Sequence, residues 1–421
     1  MIKSKALTVI AGLCGILAYT AGSIGVAQVV EGQAVDANGA PQYHVDPFWP
    51  KPLPNQWSMQ QVTGLYVDHM EHIWFINRGR AALPIELAGE LGPGAALCCV
   101  RGPEIIELDQ EGNVLNAWGG PGYHPLWPEY LQTVIPDSEG FVWIAGEAAQ
   151  DSILKFTREG EFVWDFGRRP PKLGTEADYR TRDPQENNQN VDEIVNVGRF
   201  QLDEVDNELY IIDQKRVTVY DASTGDFKRG WGGHGMPLSE ITNEPIAGYE
   251  WTGEPPPEER NFAPTLHFIE ISNDRRVYIG ERGQNRIQVF TTEGEWLQDI
   301  YVSPNTPAQR GLCAGMFERP ASPMPVGTFY ASICGSMYKM IISKDPEQKY
   351  LFVADAHNDV VWSVDRLGGE TLGYFGRNGR LAGQFHFANA IGIDTFGNIF
   401  VGEVDNAKRI QKFAPVMMGV P

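Results

Sequence analysis

The sequence predicts an all-β protein, a six-bladed β-propeller whose ring is closed by an N-terminal strand. A unit of apolar strands separated by short turns recurs along the chain, and such recurrence is typical of propellers. The third strand of each unit is the most regular: residues 105–108, 153–156, 217–220, 287–290, 361–364 and 410–413. Six such strands predict six blades.

The turns and flanking strands support this assignment. Gly112, Gly160 and Gly294 end the turn after the third strand, where glycine supplies the positive φ that a tight hairpin needs. A fourth strand follows and ends in an aromatic residue and glycine, as at residues 118–119 and 375–376. Each unit therefore reads as four antiparallel strands.

The sixth unit stops after its third strand, at Phe413, so one strand is missing from the last blade. Residues 42–48 can supply it, and this pairing would remove two open sheet edges. We therefore expect one propeller over residues 42–415, preceded by a short linker at 28–41 and followed by a tail at 416–421.

Residues 1–27 are typical of a secretory signal peptide, with Lys3 and Lys5 before a long apolar run and small residues at its end. This predicts a periplasmic or extracellular protein. An uncleaved anchor is the alternative, and it is the only membrane contact that we expect. The formal net charge of −20 argues against nucleic acid as a partner, because nucleic acid requires clustered lysine and arginine.

Four cysteines follow the predicted signal peptide: Cys98, Cys99, Cys313 and Cys334. In an oxidising compartment an even number predicts disulfides, and four cysteines permit three pairings. A Cys313–Cys334 bond would leave a vicinal Cys98–Cys99 disulfide, whereas the other two pairings join each of these neighbours to a distant cysteine.

Four long insertions interrupt the units, at residues 79–102, 169–192, 235–263 and 303–333. The first follows a second strand and the others follow fourth strands. Because antiparallel strands alternate in direction, all four insertions should open on one face of the disc. Long loops on a rigid scaffold commonly carry function, so we expect a small-molecule, peptide-like or protein ligand on this face, near the central channel.

The first strand of each unit should line the channel. Counting back five residues from the Asp or Ser that ends each first strand predicts the residues at its mouth: Thr63, Gln132, Gly198, His267, Tyr338 and Asn389. Only one of the six is a histidine, so the ring alone does not predict a metal. His386 lies three residues from Asn389 and is a further candidate for the mouth.

Residues 285–290 (Asn-Arg-Ile-Gln-Val-Phe) and 408–413 (Lys-Arg-Ile-Gln-Lys-Phe) resemble NHL repeats. The wider arrangement is similar to peptidyl-α-hydroxyglycine α-amidating lyase and its bacterial relatives. That resemblance implies a channel zinc held by three histidines, with a catalytic tyrosine and an arginine nearby. The three histidine positions match Gln132, His267 and Asn389, while Arg78 and Arg282 match arginine positions; the loop expected to carry the tyrosine is shortened to residues 213–216.

Two amides in place of histidines are weak zinc donors, so stoichiometric zinc is not expected, and calcium held by channel carbonyls is left open. The sequence favours a secreted, lyase-like propeller with a degraded zinc site, which binds its ligand through Gln132, His267, Asn389 and His386. Arg78 and Arg282 are the candidate catalytic residues. The alternatives are an active amidating-lyase-like enzyme with an altered metal site and a structural partner in a cell-envelope complex.

Overall fold

The computed structural model describes residues 32–147, 151–168, 188–194, 197–213, 215–242, 246, 251–254, 258–263, 266–305 and 336–418. The predicted signal peptide, Cys313, Cys334 and large parts of three long insertions lie outside these ranges. Within them, six four-stranded antiparallel sheets form a ring, which confirms the six-bladed propeller.

The strands follow the predicted units. Before the first blade lie β1 (Tyr43–Asp46) and β2 (Trp57–Ser58). The first blade and its long loop contain β3 (Gln61–Val67), β4 (Ile73–Arg78), β5 (Val100–Arg101), β6 (Ile105–Leu108) and β7 (Val114–Trp118). The second contains β8 (Leu131–Pro136), β9 (Phe141–Gly146), β10 (Ile153–Thr157) and β11 (Phe162–Asp165). The third contains β12 (Phe200–Asp203), β13 (Glu208–Asp213), β14 (Arg216–Asp221) and β15 (Phe227–Trp231).

The remaining blades repeat this order. The fourth contains β16 (Leu266–Ile271), β17 (Arg276–Glu281), β18 (Arg286–Thr291) and β19 (Trp296–Tyr301). The fifth contains β20 (Met337–Ile342), β21 (Tyr350–Asp355), β22 (Val360–Asp365) and β23 (Thr371–Phe375). The sixth contains β24 (Ala388–Ile393), β25 (Ile399–Glu403) and β26 (Ile410–Pro415). Short 3-10 helices occupy Gly79–Ala81, Pro84–Glu90, Gly233–Gly235, Leu238–Glu240 and Arg282–Gln284. No described helix is long and apolar enough to span a membrane.

The ring closes as the sequence predicts. Strand β1 pairs antiparallel with β26, with Tyr43 opposite Pro415 and Asp46 opposite Lys412. The sixth blade therefore takes its outer strand from the N-terminal side of the chain, in the order β1-β26-β25-β24. This pairing covers the edge that β26 would otherwise expose.

The first strand of each blade lies innermost. Strand β3 contacts both β8 and β24, and β20 contacts both β16 and β24, so neighbouring first strands meet around the channel. Between blades, large apolar side chains of the second strands fill the core; Trp74, Tyr210 and Tyr278 are fully buried.

The Arg-x-Gln pattern in the two motif-bearing repeats has a structural role. Arg286 forms a buried ion pair with Glu281, with Nε 2.7 Å from Oε1, and Gln288 Nε2 donates to the same carboxylate at 2.9 Å. In the sixth blade, Arg409 and Gln411 contact Glu403 in the same way. The pattern thus joins the third strand to the end of the second strand at one face of the disc.

Strand register defines the two faces. In the fourth blade, Leu266, Glu281, Arg286 and Tyr301 lie in line at one end of the sheet. We call this end, where first strands begin, the mouth face. The ring of Trp251 lies against Tyr301 with centroids 6.2 Å apart, which places this insertion on the mouth face, as predicted.

The insertion at 79–102 lies on the same face. It leaves the sheet after Arg78, and Arg101 Nη1 donates to the Gly79 carbonyl at 2.7 Å. Lys408 forms an ion pair with Glu86 and connects this insertion to the sixth blade. His69 lies in the turn between β3 and β4, on the opposite face, so the predicted polarity is confirmed for the described residues.

Candidate binding site at the channel mouth

A β-bulge turns side chains into the channel at the start of most first strands. In β8, Leu131 pairs with Gly146 and Thr133 with Ala145, which leaves Gln132 as the extra residue. The same shift leaves His267 extra in β16, Tyr338 in β20 and Asn389 in β24. Because bulges redirect side chains, all four line the channel, together with Thr63.

The predicted ring is wrong at one position. Gly198 does not line the channel, and Arg199 does. Strand β12 begins at Phe200 without a bulge. Counting back five residues from Asp203 therefore reaches Gly198, one position before the residue that lines the channel. Gly198 instead packs against Glu147, where a Cβ would collide with the side chain, and its carbonyl accepts a hydrogen bond from Thr133 Oγ1 at 2.5 Å.

Arg199 connects the second, third and fourth blades. Its Nη2 lies 2.9 Å from His267 Nε2, and its Nη1 forms an ion pair with Glu147. Glu147 also accepts a hydrogen bond from Gln132 Nε2 at 2.8 Å. The amide that stands at one predicted ligand position is therefore held beside a carboxylate and an arginine.

His267 is held as a neutral imidazole. Its Nδ1 lies 2.7 Å from the Tyr338 carbonyl oxygen and donates to it, while Nε2 accepts from the Arg199 guanidinium. Burial, followed by the charges of Arg199 and Arg282, lowers the pKa of His267 well below its usual value. The imidazole lone pair therefore faces a cation.

Two further arginines stand near this pair. Arg282 Nη1 donates to the Tyr338 hydroxyl at 2.9 Å, and its guanidinium lies 4.9 Å from the centre of that ring. Arg78 Nη2 donates to Gln61 Oε1 at 2.8 Å. Burial and the charges of Arg282 and Arg78 lower the pKa of Arg199. The Glu147 carboxylate partly offsets these charges through its ion pair with Arg199.

His386 does not line the channel. Its Nε2 lies 3.0 Å from Asp405 Oδ2, and its backbone N–H donates to Glu403 Oε1 at 2.6 Å. Both partners are near the end of β25, so the structure places His386 on the mouth face in a polar contact of its own.

The donors at the mouth do not fit zinc. His267 offers its lone pair to Arg199, and Gln132 is bound to Glu147. A divalent cation beside His267 would also meet the charge of the nearby guanidinium, and amide oxygens would not compensate for that repulsion. We therefore assign no step to a metal.

Other close groups of metal-ligand type lie on the opposite face and contact arginines. Within the described ranges there are two: Asp68, His72 and Glu107, and Asp203, Asp206 and Glu208. Arg158 Nη2 lies 2.8 Å from His72 Nδ1 and contacts Glu107. Arg275 Nη1 donates to Asp203 at 2.9 Å. These groups are explained by ion pairs.

Cys98 and Cys99 form a vicinal disulfide in the insertion at 79–102. Cys98 is exposed, and the Cys99 carbonyl accepts a hydrogen bond from the Gly89 N–H at 3.0 Å. Of the pairings left open by the sequence, this is the one present, while Cys313 and Cys334 lie outside the described residues.

No protein-family profile matches the chain, and no curated protein matches it by sequence. The chain is distantly similar to several solved structures. A protein of unknown function from Bacteroides thetaiotaomicron is 12% identical with a TM-score of 0.48, covering 92% of this chain and 74% of that chain. Virginiamycin B lyase from Staphylococcus aureus is 12% identical with a TM-score of 0.43, covering 90% of this chain and 89% of that chain. A streptogramin B lyase is 11% identical with a TM-score of 0.44, covering 89% and 98%.

Proposed function

We propose that this protein is a secreted, lyase-like propeller that binds a small carboxylate, or a peptide-like ligand with a free carboxylate, at the channel mouth. One observation carries the proposal: in a chain of net charge −20, Arg199 Nη2 lies 2.9 Å from His267 Nε2, and Arg282 Nη1 donates to the hydroxyl of Tyr338, whose carbonyl binds the same imidazole. Secretion is proposed from the pattern of residues 1–27, and an NHL-type relationship from residues 285–290 and 408–413.

The chemistry of the mouth suits a carboxylate better than a cation. Guanidinium groups donate two parallel hydrogen bonds to a carboxylate, and this geometry is specific to arginine. Gln132 and Asn389 line the same space and offer amide groups to a neighbouring peptide bond. Glu147 pairs with Arg199 from a partly exposed position, so it neutralises only part of the positive charge at the mouth.

Calorimetric titration with N-acetylglycine tests the proposal, with N-acetylglycinamide as the uncharged control. The carboxylate should bind, and the amide should bind at least tenfold more weakly. Arg199→Gln should weaken carboxylate binding by about tenfold to hundredfold, because a hydrogen bond to a charged group contributes about 1.5–3 kcal/mol. Arg377→Gln removes the same charge from an exposed position after β23 and should leave binding unchanged.

Two results would reject the proposal. Equal affinity for N-acetylglycine and its amide would show that charge is not recognised. Equal losses in Arg199→Gln and Arg377→Gln would show that only the overall charge matters.

A second candidate is an amidating-lyase-like enzyme, favoured by the Tyr338 hydroxyl beside Arg282 and the neutral His267. Such an enzyme would release glyoxylate from a peptidyl-α-hydroxyglycine. We expect no release above that of Tyr338→Phe, because His267 Nε2 is held by Arg199 and is not positioned to accept a proton. Release that disappears in Tyr338→Phe would favour the enzyme instead.

A further inference from the structure

The disulfide between Cys98 and Cys99 joins neighbouring residues on the mouth face. Cys98 is exposed and Cys99 is partly exposed, so the bond lies at the protein surface. A disulfide stabilises a fold mainly through the length of chain that it closes into a loop. This bond closes a ring within one dipeptide and joins no distant segments, so stapling of the fold does not account for it.

The backbone at Cys99 has a conformation that an open chain disfavours. Its φ is 78°, in the left-handed region that residues other than glycine adopt uncommonly. The covalent ring restricts the rotations of both cysteines, whereas reduction leaves each with an ordinary, flexible backbone. We therefore expect Cys99 to leave the left-handed region once the disulfide is opened.

The same dipeptide holds the 3-10 helix at Pro84–Glu90. Gly89 donates from its backbone N–H to the Cys99 carbonyl at 3.0 Å. The approach is close, since a Cβ on Gly89 would lie 2.7 Å from the Cys98 carbonyl oxygen. A change in the backbone of Cys98 or Cys99 therefore moves a carbonyl group that the helix contacts.

The segments on either side are fixed by other contacts. Val100 and Arg101 form strand β5, which pairs with β2, and the Arg101 N–H donates to Glu90 Oε1 at 2.6 Å. Within the helix, Glu86 pairs with Lys408 beside the sixth blade. Opening the disulfide should therefore loosen residues 89–99 and leave the blades intact.

We propose that Cys98 and Cys99 form a site of thiol–disulfide exchange with a dithiol, and that exchange releases the Gly89 contact. A thiolate of the dithiol attacks Cys98 Sγ, forms a mixed disulfide and displaces Cys99 Sγ, which takes up a proton. The second thiolate attacks the dithiol's own sulfur in the mixed disulfide and displaces Cys98 Sγ, which is also protonated. Two electrons and two protons pass to the protein, and the dithiol leaves as a cyclic disulfide.

Differential alkylation of the full chain, read by peptide mass spectrometry, tests the exchange. Cys98 and Cys99 should resist iodoacetamide before reduction, and both should react after treatment with dithiothreitol in the absence of denaturant. Hydrogen exchange gives the structural readout: at Gly89 it should become about tenfold faster on reduction, because the amide loses its carbonyl acceptor. Reoxidation with hydroxyethyl disulfide should restore the slow rate.

The double variant Cys98→Ser, Cys99→Ser is the matched control. Its Gly89 amide should exchange at the rate of the reduced protein, with and without dithiothreitol. Acceleration by dithiothreitol in this variant would refute the proposal, because the effect would then come from another cysteine. Should this variant not fold, Cys313→Ser, Cys334→Ser replaces it, and there the acceleration must persist.

Three results with the unmodified chain would also reject the proposal. Alkylation of Cys98 or Cys99 before reduction would show that the disulfide is not the resting form. Resistance of both to alkylation after dithiothreitol would show that no exchange occurs. Alkylation of both with an unchanged rate at Gly89 would show that the disulfide does not hold the helix.

Discussion

The ion pair between Arg286 and Glu281 should stabilise the mouth end of the fourth blade, and Arg286→Met tests its contribution. Arg286 and Glu281 are 1% and 0% exposed, and two hydrogen bonds of 2.7 and 2.9 Å join them. Arg286 Nη2 also donates to the Asn261 carbonyl at 2.9 Å, which ties the preceding connection to the blade. Glu281 immediately precedes Arg282 in the chain and Arg286 follows it, so the pair flanks this residue of the site.

The size of the stability loss in Arg286→Met follows from the Glu281 charge that stays buried without its partner. Methionine fills much of the volume of arginine but leaves Glu281 buried with Gln288 Nε2 and the Ala263 N–H as its donors. Breaking a buried pair in this way costs about 3–5 kcal/mol. Adding Glu281→Gln removes the uncompensated charge and should restore part of the loss. Arg276→Met, which removes a partly exposed contact to Asp274, should cost about 1 kcal/mol or less.

Denaturant unfolding followed by tryptophan fluorescence and circular dichroism measures these differences. Coincident transitions from the two probes are needed before free energies are compared. A loss below about 1 kcal/mol in Arg286→Met, no larger than in Arg276→Met, would refute the reasoning that burial makes this pair important.

Two further predictions concern His267. The triple variant Gln132→His, Asn389→His and Arg199→Ala should bind zinc more tightly than the double variant that keeps Arg199, because the guanidinium beside His267 repels the metal. Competition with a chromogenic chelator measures both zinc affinities, and equal affinities in the two variants would contradict this prediction. Nitrogen NMR should show that His267 remains the neutral Nδ1–H tautomer at pH values well below the usual histidine pKa of about 6.5. Below that pH the unfolded chain binds more protons than the folded chain, so the free energy of unfolding should decrease as the pH drops. His267→Gln should make this decrease smaller. A normal titration of His267 would contradict this prediction.

The fold was predictable because its signals are local. Alternating apolar residues, the recurring third strands and the glycine turns depend only on neighbouring residues, and they are the features that the blades use. Ring closure followed from counting strands, and β1 pairs with β26 accordingly. The face on which the long insertions open followed from strand direction alone, since antiparallel strands alternate in direction.

Part of the mouth was predictable for the same reason. Gln132, His267, Tyr338 and Asn389 lie at one offset from the end of their strands, and the repeated bulge keeps that offset. Arg199 was missed because β12 lacks the bulge, so the inward position moves by one residue. A charged residue directly before an apolar inner strand was the available signal.

The sequence by itself determined the blade count, the closing strand and most residues at the mouth, because each depends on a short repeat. Only the tertiary structure decided what those residues contact. Arg199 and His267 are 68 residues apart and belong to different blades, yet their side chains meet at 2.9 Å. Sequence spacing carries no information on such a contact, since it depends on how two separate sheets pack around the channel. That packing places a guanidinium beside the single histidine of the mouth.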